Sequence, residues 1–304
     1  MRKKFIGALT HCRNDDFFLS LWLKYYGAQF GRENLFVVLD GDESEPNVDL
    51  TGVTVTMVKD APRQRVRNDR FMAKTVSGRA HELFNDYHYI VRSDIDEFVC
   101  IDPNSGLNWE TAMEEIDYWG YTYSMGMDVV HNRALETDPL DLNQPILSQR
   151  QFAVVDHNYS KPNVTNRICS QHPLNEPRQK SWLLSWSGGF HRALGGRVRM
   201  SNHFALFHFA LFDYDLANKR QKDRLASNSN HRSFTGHIDQ RFKLFDEISN
   251  MAPMDADQAY KIARDKFPLE NDGSLSKRPR AAPEDANVSS GILIEIPKRF
   301  SNIT

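Results

Sequence analysis

Residues 87–99 read Tyr87-His88-Tyr89-Ile90-Val91-Arg92-Ser93-Asp94-Ile95-Asp96-Glu97-Phe98-Val99, and the fold class turns on them. Tyr87 to Val91 carry aromatic and β-branched side chains, the composition of a buried strand. Three carboxylates follow within four residues: Asp94, Asp96 and Glu97. Open α/β sheets bind ligands just beyond the carboxyl ends of their strands, so these acids stand where a ligand would. On an extended backbone Asp94 and Asp96, two apart, project to the same side. Such a pair repels unless a cation lies between the two or one keeps its proton. Hard oxygen donors favour Mg²⁺ or Mn²⁺, ions that commonly share their coordination with substrate phosphates. The plainer alternative is a solvated acidic turn after a strand.

The flanks of this stretch alternate strand and helix patterns. Phe5 to Thr10 predicts a first strand. Asn14 or Asp15 can cap the helix after it, which has Phe18, Leu21, Trp22 and Tyr25 at helical spacing and Gly27 and Gly31 at its end. Leu35 to Leu39 is an unbroken apolar run of the kind parallel sheets bury on both faces, and it stops at Asp40. Val53 to Val58 alternates as a third strand. The charged run 59–70, with Arg63, Arg65, Arg67 and Arg70, reads as a solvated loop, though its arginines could also hold an anion. A helix follows with Met72, Ala73, Val76, Ala80, Leu83 and Phe84 on one face. Beyond the acids, Asn108 can cap a helix, and Tyr121 to Val130 reads as a strand. This order argues for a parallel sheet with flanking helices.

With 304 residues, 38 Lys plus Arg and 40 Asp plus Glu, the chain can bury a large core and shows no charge excess for nucleic acid or anionic membranes. Three cysteines without CxxC spacing fit reduced thiols. The apolar start ends at His11, too early for a signal peptide, and no run is long enough to span a membrane. A cytoplasmic protein without a transmembrane segment is expected. Residues 131–180 are rich in Asn, Pro, Gln and Asp and read as long loops around an acceptor. Lys180 to Leu184 reads as a return to the sheet, followed by Gly188-Gly189, which lets the backbone approach a ligand closely. His203 to Phe212 predicts an apolar strand, 213–225 a basic helix, and 237–249 and 255–266 further helices. A polar, Pro-rich linker over 268–287 precedes an edge strand at 291–296.

A strand running into Asp-x-Asp-Glu-Phe resembles the metal-binding motif of GT-A fold glycosyltransferases, in their family 2-like branch. The likeness covers residues 4–130 and, more loosely, 180–225. It implies an α/β fold of GT-A type, a Rossmann-like, mostly parallel sheet flanked by helices, with a helical C-terminal extension. The glycosyltransferase domain would span 1–225, its nucleotide-sugar half 1–100 and its acceptor half 101–225. Residues 226–267 would form the extension and 268–304 the linker and tail. The implied activity is metal-dependent transfer of a sugar from a nucleotide-diphosphate donor to an acceptor hydroxyl on a glycan, with inversion, as in polysaccharide biosynthesis. The resemblance assigns Mn²⁺ or Mg²⁺ to Asp94, Asp96 and His208, with Asp94 also near the ribose. It assigns the donor to Arg13 and Asn14 after the first strand, to Asp40, to Lys74, and to Lys180 and His191. Asp128 is the expected base, reaching the acceptor hydroxyl directly, with Glu136, Asp138 and Asp156 as competitors. A nucleotidyltransferase on a related fold is one rival, although Thr10 to Asp16 lacks the glycines of its phosphate loop. A non-catalytic carbohydrate-binding relative is the other.

Overall fold

The computed structural model describes residues 4–40, 46–62, 64–114, 116, 120–156, 159–166, 185–194, 198–227, 242–267 and 291–303. Its strands are β1 (Lys4–Cys12), β2 (Leu35–Asp40), β3 (Thr54–Val58), β4 (Tyr87–Arg92), β5 (Glu97–Ile101) and β6 (Tyr121–Val130). They continue with β7 (Phe152–Val155), β8 (Lys161–Asn166), β9 (Ser185–Trp186), β10 (Ala193–Leu194), β11 (Val198–Leu211) and β12 (Ile292–Glu295). The helices used below are α1 (Asp16–Phe30), α2 (Arg65–Leu83), α3 (Trp109–Glu114), α4 (Ile146–Gln149) and α5 (Tyr214–Ser227). The chain is a mixed α/β protein that divides into two compact units. The first comprises Met1–Met125, Ser160–Leu206 and Phe267–Pro279; the second comprises Gly126–Tyr159, Phe207–Lys266 and Arg280–Thr304.

In the first unit β3, β2, β1 and β4 lie side by side and parallel, with Leu9 level with Phe36 on one side and Arg92 on the other. Parallel neighbours need crossovers, and helices supply them: α1 links β1 to β2, and α2 links β3 to β4. Asp15 caps α1 by accepting from Phe18 N at 3.3 Å. Gly31, at φ +82°, stops the helix at a conformation glycine adopts without strain, whereas Gly27 lies inside it rather than at its end. α2 begins at Arg65, so half of the charged run expected as a loop is helix. Its apolar stripe of Met72, Ala73, Val76, Ala80 and Leu83 packs with Leu9, Phe36, Val38 and Ile90 of the sheet.

The loops expected over 131–180 are the largest departure, because β8 lies within them and pairs antiparallel with β4 and with the first half of β6. Lys161-Pro162-Asn163-Val164-Thr165-Asn166 has no apolar periodicity, yet all six residues are buried. Several of their polar groups find distant partners. Asn163 Nδ2 donates to the Arg92 carbonyl at 2.8 Å, Thr165 Oγ1 to the Ile90 carbonyl at 3.2 Å, and Asn166 Nδ2 to the Ile116 carbonyl at 2.7 Å. Pro162, which lacks an N–H, falls where the β6–β8 register shifts, a place where a strand tolerates proline.

In the second unit the latter half of β6 pairs antiparallel with β7, and β7 with β12, so the edge strand expected near 291–296 is present. Val130, Phe152, Val154, Leu211, Leu244, Phe245, Ile248 and Leu293 form its core. Arg150 is buried in this unit, and its Nη2 donates to Asp213 Oδ2 at 2.9 Å. The other Asp213 oxygen accepts from Asp215 N and Leu216 N, both at 3.1 Å, and so caps α5. Among the described residues no helix is long and apolar enough to cross a membrane. Asp213→Ala strands the buried guanidinium and uncaps α5, so urea denaturation is expected to show a loss of about 3–5 kcal/mol. A loss below about 1 kcal/mol would mean that Arg150 does not depend on this carboxylate.

Candidate functional site

The carboxyl ends of β1, β2 and β4 lie side by side, and Arg13, Asn14, Asp40 and Asp94 stand at or just beyond them in the chain. β2 ends in Asp40, which is only 2 % exposed and accepts from Asn68 Nδ2 of α2 at 2.9 Å. Arg13 Nη2 lies 3.9 Å from Asp40 Oδ1. Cys12, Asn14, Asp16, Leu39, Asp40, Pro46 and Met57 line a pocket at this edge. Two of the expected donor contacts, Asn14 and Asp40, therefore share one cavity. Asn14 is held at φ +48°, a left-handed conformation that asparagine tolerates better than most residues.

The acidic stretch is a turn rather than an extended segment. Glu97 N donates to the Asp94 carbonyl at 3.0 Å, and Asp94 N to Glu97 Oε2 at 3.2 Å. The alternation that would place Asp94 and Asp96 on one side does not apply. Asp94 instead meets cations. Its Oδ1 accepts from Arg92 Nη2, and its Oδ2 lies 2.6 Å from Lys161 Nζ. Lys161 Nζ also lies 2.5 Å from Glu97 Oε1. Burial pushes the Asp94 carboxyl up, but Arg92, Lys161 and His11 together outweigh it and hold the group well below the usual carboxylate range, against repulsion from Asp96. For Lys161, burial acts downward, and Asp94 and Glu97 reverse it, leaving the ammonium above its ordinary value. The result is a closed charge network at the end of β4.

Arg92 is 1 % exposed, and its guanidinium sits 3.2 Å from the centre of the Phe190 ring. Phe190 adopts φ +60°, an outlier for a bulky residue, one place after Gly189 at φ +72°. The glycine pair allows a close approach, but to α2: a Cβ on Gly188 would meet Arg70 and Asp69 at 3.5–3.6 Å. His191 is exposed, and its carbonyl accepts from Tyr123 Oη at 3.1 Å. Lys74 is exposed on α2. Lys180 lies outside the described residues.

A divalent cation was expected on Asp94, Asp96 and His208. Asp94 and Asp96 belong to the first unit and His208 to the second. Among the described residues, no three His, Cys, Asp or Glu side chains are grouped so as to hold a metal ion. Both oxygens of Asp94, and one of Glu97, are already engaged by Arg92 and Lys161. As placed, Asp94 offers a divalent cation no oxygen that is not already held by Arg92 or Lys161. Lys161 had no signal in the sequence, since it opens a stretch without periodicity. Arg92 had one, a charge inside an otherwise apolar strand directly before the acids.

Asp128, expected to reach an acceptor directly, is 0 % exposed on β6, and its Oδ1 lies 2.9 Å from His208 Nδ1. A carboxylate on Nδ1 orients an imidazole ring and biases its tautomer. Within the second unit, Asp128 is thus withdrawn from solvent and paired with His208.

His11 supplies a pH test of the first unit. Burial draws its imidazole from 6.5 down to about 4, with Asp94 opposing and Arg92 assisting. Unfolded chains then bind more protons than folded ones between about pH 6.5 and 4, so stability falls as pH falls through that window. The slope from this residue approaches about 1.4 kcal/mol per pH unit. Denaturation of His11→Gln at stepped pH should show that slope reduced relative to wild type; parallel profiles would place His11 outside the network.

No protein-family model matches the sequence, and no curated protein matches it. Among solved structures 45 chains match. One of them, the crystal structure of S. aureus TarS, aligns at 9% identity with a TM-score of 0.32, over 80% of this chain and 42% of that one. The chain thus spans less than half the length of that protein, a similarity too distant to assign fold or activity.

Proposed function

We propose that the chain is a glycosyltransferase that takes a sugar from a nucleotide-diphosphate donor and passes it to an acceptor hydroxyl. The observation that carries this reading is the pocket at the carboxyl ends of β1 and β2, lined by both Asn14 and Asp40. A ligand is expected at this edge of an open α/β sheet, where the loops after parallel strands converge. The withdrawn Asp40 carboxylate, steadied by Asn68, can accept hydrogen bonds from the hydroxyls of a ribose or the N–H groups of a base. Arg13 stands beside it as a partly exposed cation for the anionic part of the donor. The Asp-x-Asp-Glu-Phe motif at the end of β4 supports a sugar nucleotide over other phosphorylated ligands, by its likeness to GT-A enzymes of the family 2-like branch. Inversion at the anomeric carbon follows from the same likeness.

The protein is expected to gain thermal stability with one of UDP, GDP, CDP or ADP, because a ligand bound only to the native state stabilises it by about 2.7 kcal/mol at a hundredfold excess over Kd. Asp40→Ala should abolish the shift for that nucleotide while leaving the unliganded protein folded by circular dichroism. Melting temperatures unmoved by all four nucleotides, both in EDTA and in Mn²⁺, would sink the donor assignment.

A further inference from the structure

The nucleotide-sugar reading brings with it a divalent cation, and the side chains at the end of β4 disagree with that. Of the three carboxylates in this turn, Asp94 and Glu97 approach one another closely enough to need positive charge between them. Here an ammonium supplies it: Lys161 Nζ lies 2.6 Å from Asp94 Oδ2 and 2.5 Å from Glu97 Oε1. Arg92 closes on the remaining Asp94 oxygen from the strand itself. The lysine is not an incidental surface partner. It is 6 % exposed, and it opens a strand bonded on both sides, to β4 and to β6. Asn163, two residues on, donates to the Arg92 carbonyl and so ties the lysine's strand to the arginine's. A lysine held this firmly is a fixed charge, and two of the three ammonium donors are accounted for by Asp94 and Glu97.

We infer that Lys161 occupies the position of a divalent cation between Asp94 and Glu97, so that nucleotide-diphosphate binding at this end of the sheet needs no metal. This rests on the nucleotide-sugar reading. Arg92 and Lys161 then balance Asp94 and Glu97 from fixed positions, independent of metal supply. A cation entering the turn would have to displace the ammonium from both carboxylates.

Two measurements on the full chain test this. Nucleotide affinity is taken by calorimetry with UDP, GDP, CDP and ADP, each in EDTA and in Mn²⁺. Mn²⁺ binding without nucleotide is read from the loss of the free-ion electron paramagnetic resonance signal. The expected result is one nucleotide whose Kd differs by less than about twofold between EDTA and Mn²⁺, with no Mn²⁺ held by the wild type. Lys161→Met should weaken that nucleotide by at least about tenfold and make the protein bind Mn²⁺, since Asp94 and Glu97 are released. Nucleotide binding only in Mn²⁺, or wild-type Mn²⁺ binding that Asp94→Asn removes, overturns the inference and leaves the donor site standing. If no nucleotide binds in either condition, the glycosyltransferase reading falls instead. The Mn²⁺ signal then decides alone: a silent wild type with a binding Lys161→Met supports the lysine as cation, and any other pair of results overturns it. Should Lys161→Met fail to fold by circular dichroism, the wild-type comparison in EDTA and Mn²⁺ decides the matter.

Discussion

Negative charge at the end of a buried strand has to be neutralised, and much of the first unit is arranged to do so. Asp94 and Glu97 face Lys161, and Arg92 reaches Asp94 from the residue two places earlier. Each charge is largely buried, so removing any one leaves its partner without compensation in a poor solvent. The position of β8 follows from this. Its first residue must meet the acidic turn, and its next polar side chains then fall against the carbonyls of β4 and the segment after α3. The stacking of Arg92 on Phe190 extends the same constraint to the Gly188–Phe190 turn, which is held in a backbone conformation a phenylalanine rarely adopts.

The parallel half of the fold was legible because its signals are local. β1, β2 and β4 are apolar runs, α1 has its cap and α2 its stripe, and β6 covers the very residues expected, Tyr121–Val130. β8 was illegible because nothing local makes Lys161-Pro162-Asn163 a strand. Its burial depends on acceptors some seventy residues away in sequence, and propensity carries no information about them. The start of α2 was misread for a related reason: exposed arginines say nothing about the backbone beneath them.

For the candidate site, the sequence could name residues but not their geometry. Asp40 and Asn14 lie on one pocket, as the order of strands implies. The spacing argument for Asp94 and Asp96 assumed an extended chain, and a hydrogen-bonded turn removes that premise. Asp128, expected to reach an acceptor directly, is instead fully buried against His208. Burial is a tertiary property, and it decides between ligand, base and positioning partner more sharply than sequence can.

Ser93, the residue between Arg92 and Asp94, is held from two directions: its hydroxyl accepts from Trp22 Nε1 of α1 at 2.9 Å, and its carbonyl from Thr10 Oγ1 of β1 at 2.8 Å. The indole of Trp22 is fully buried, so its N–H has this hydroxyl as its polar surrounding. Any displacement of the acidic turn alters the field along the indole and with it the energy of its excited state. The chain thus carries an optical gauge of its own charge network, one that needs neither a label nor a substrate to be read.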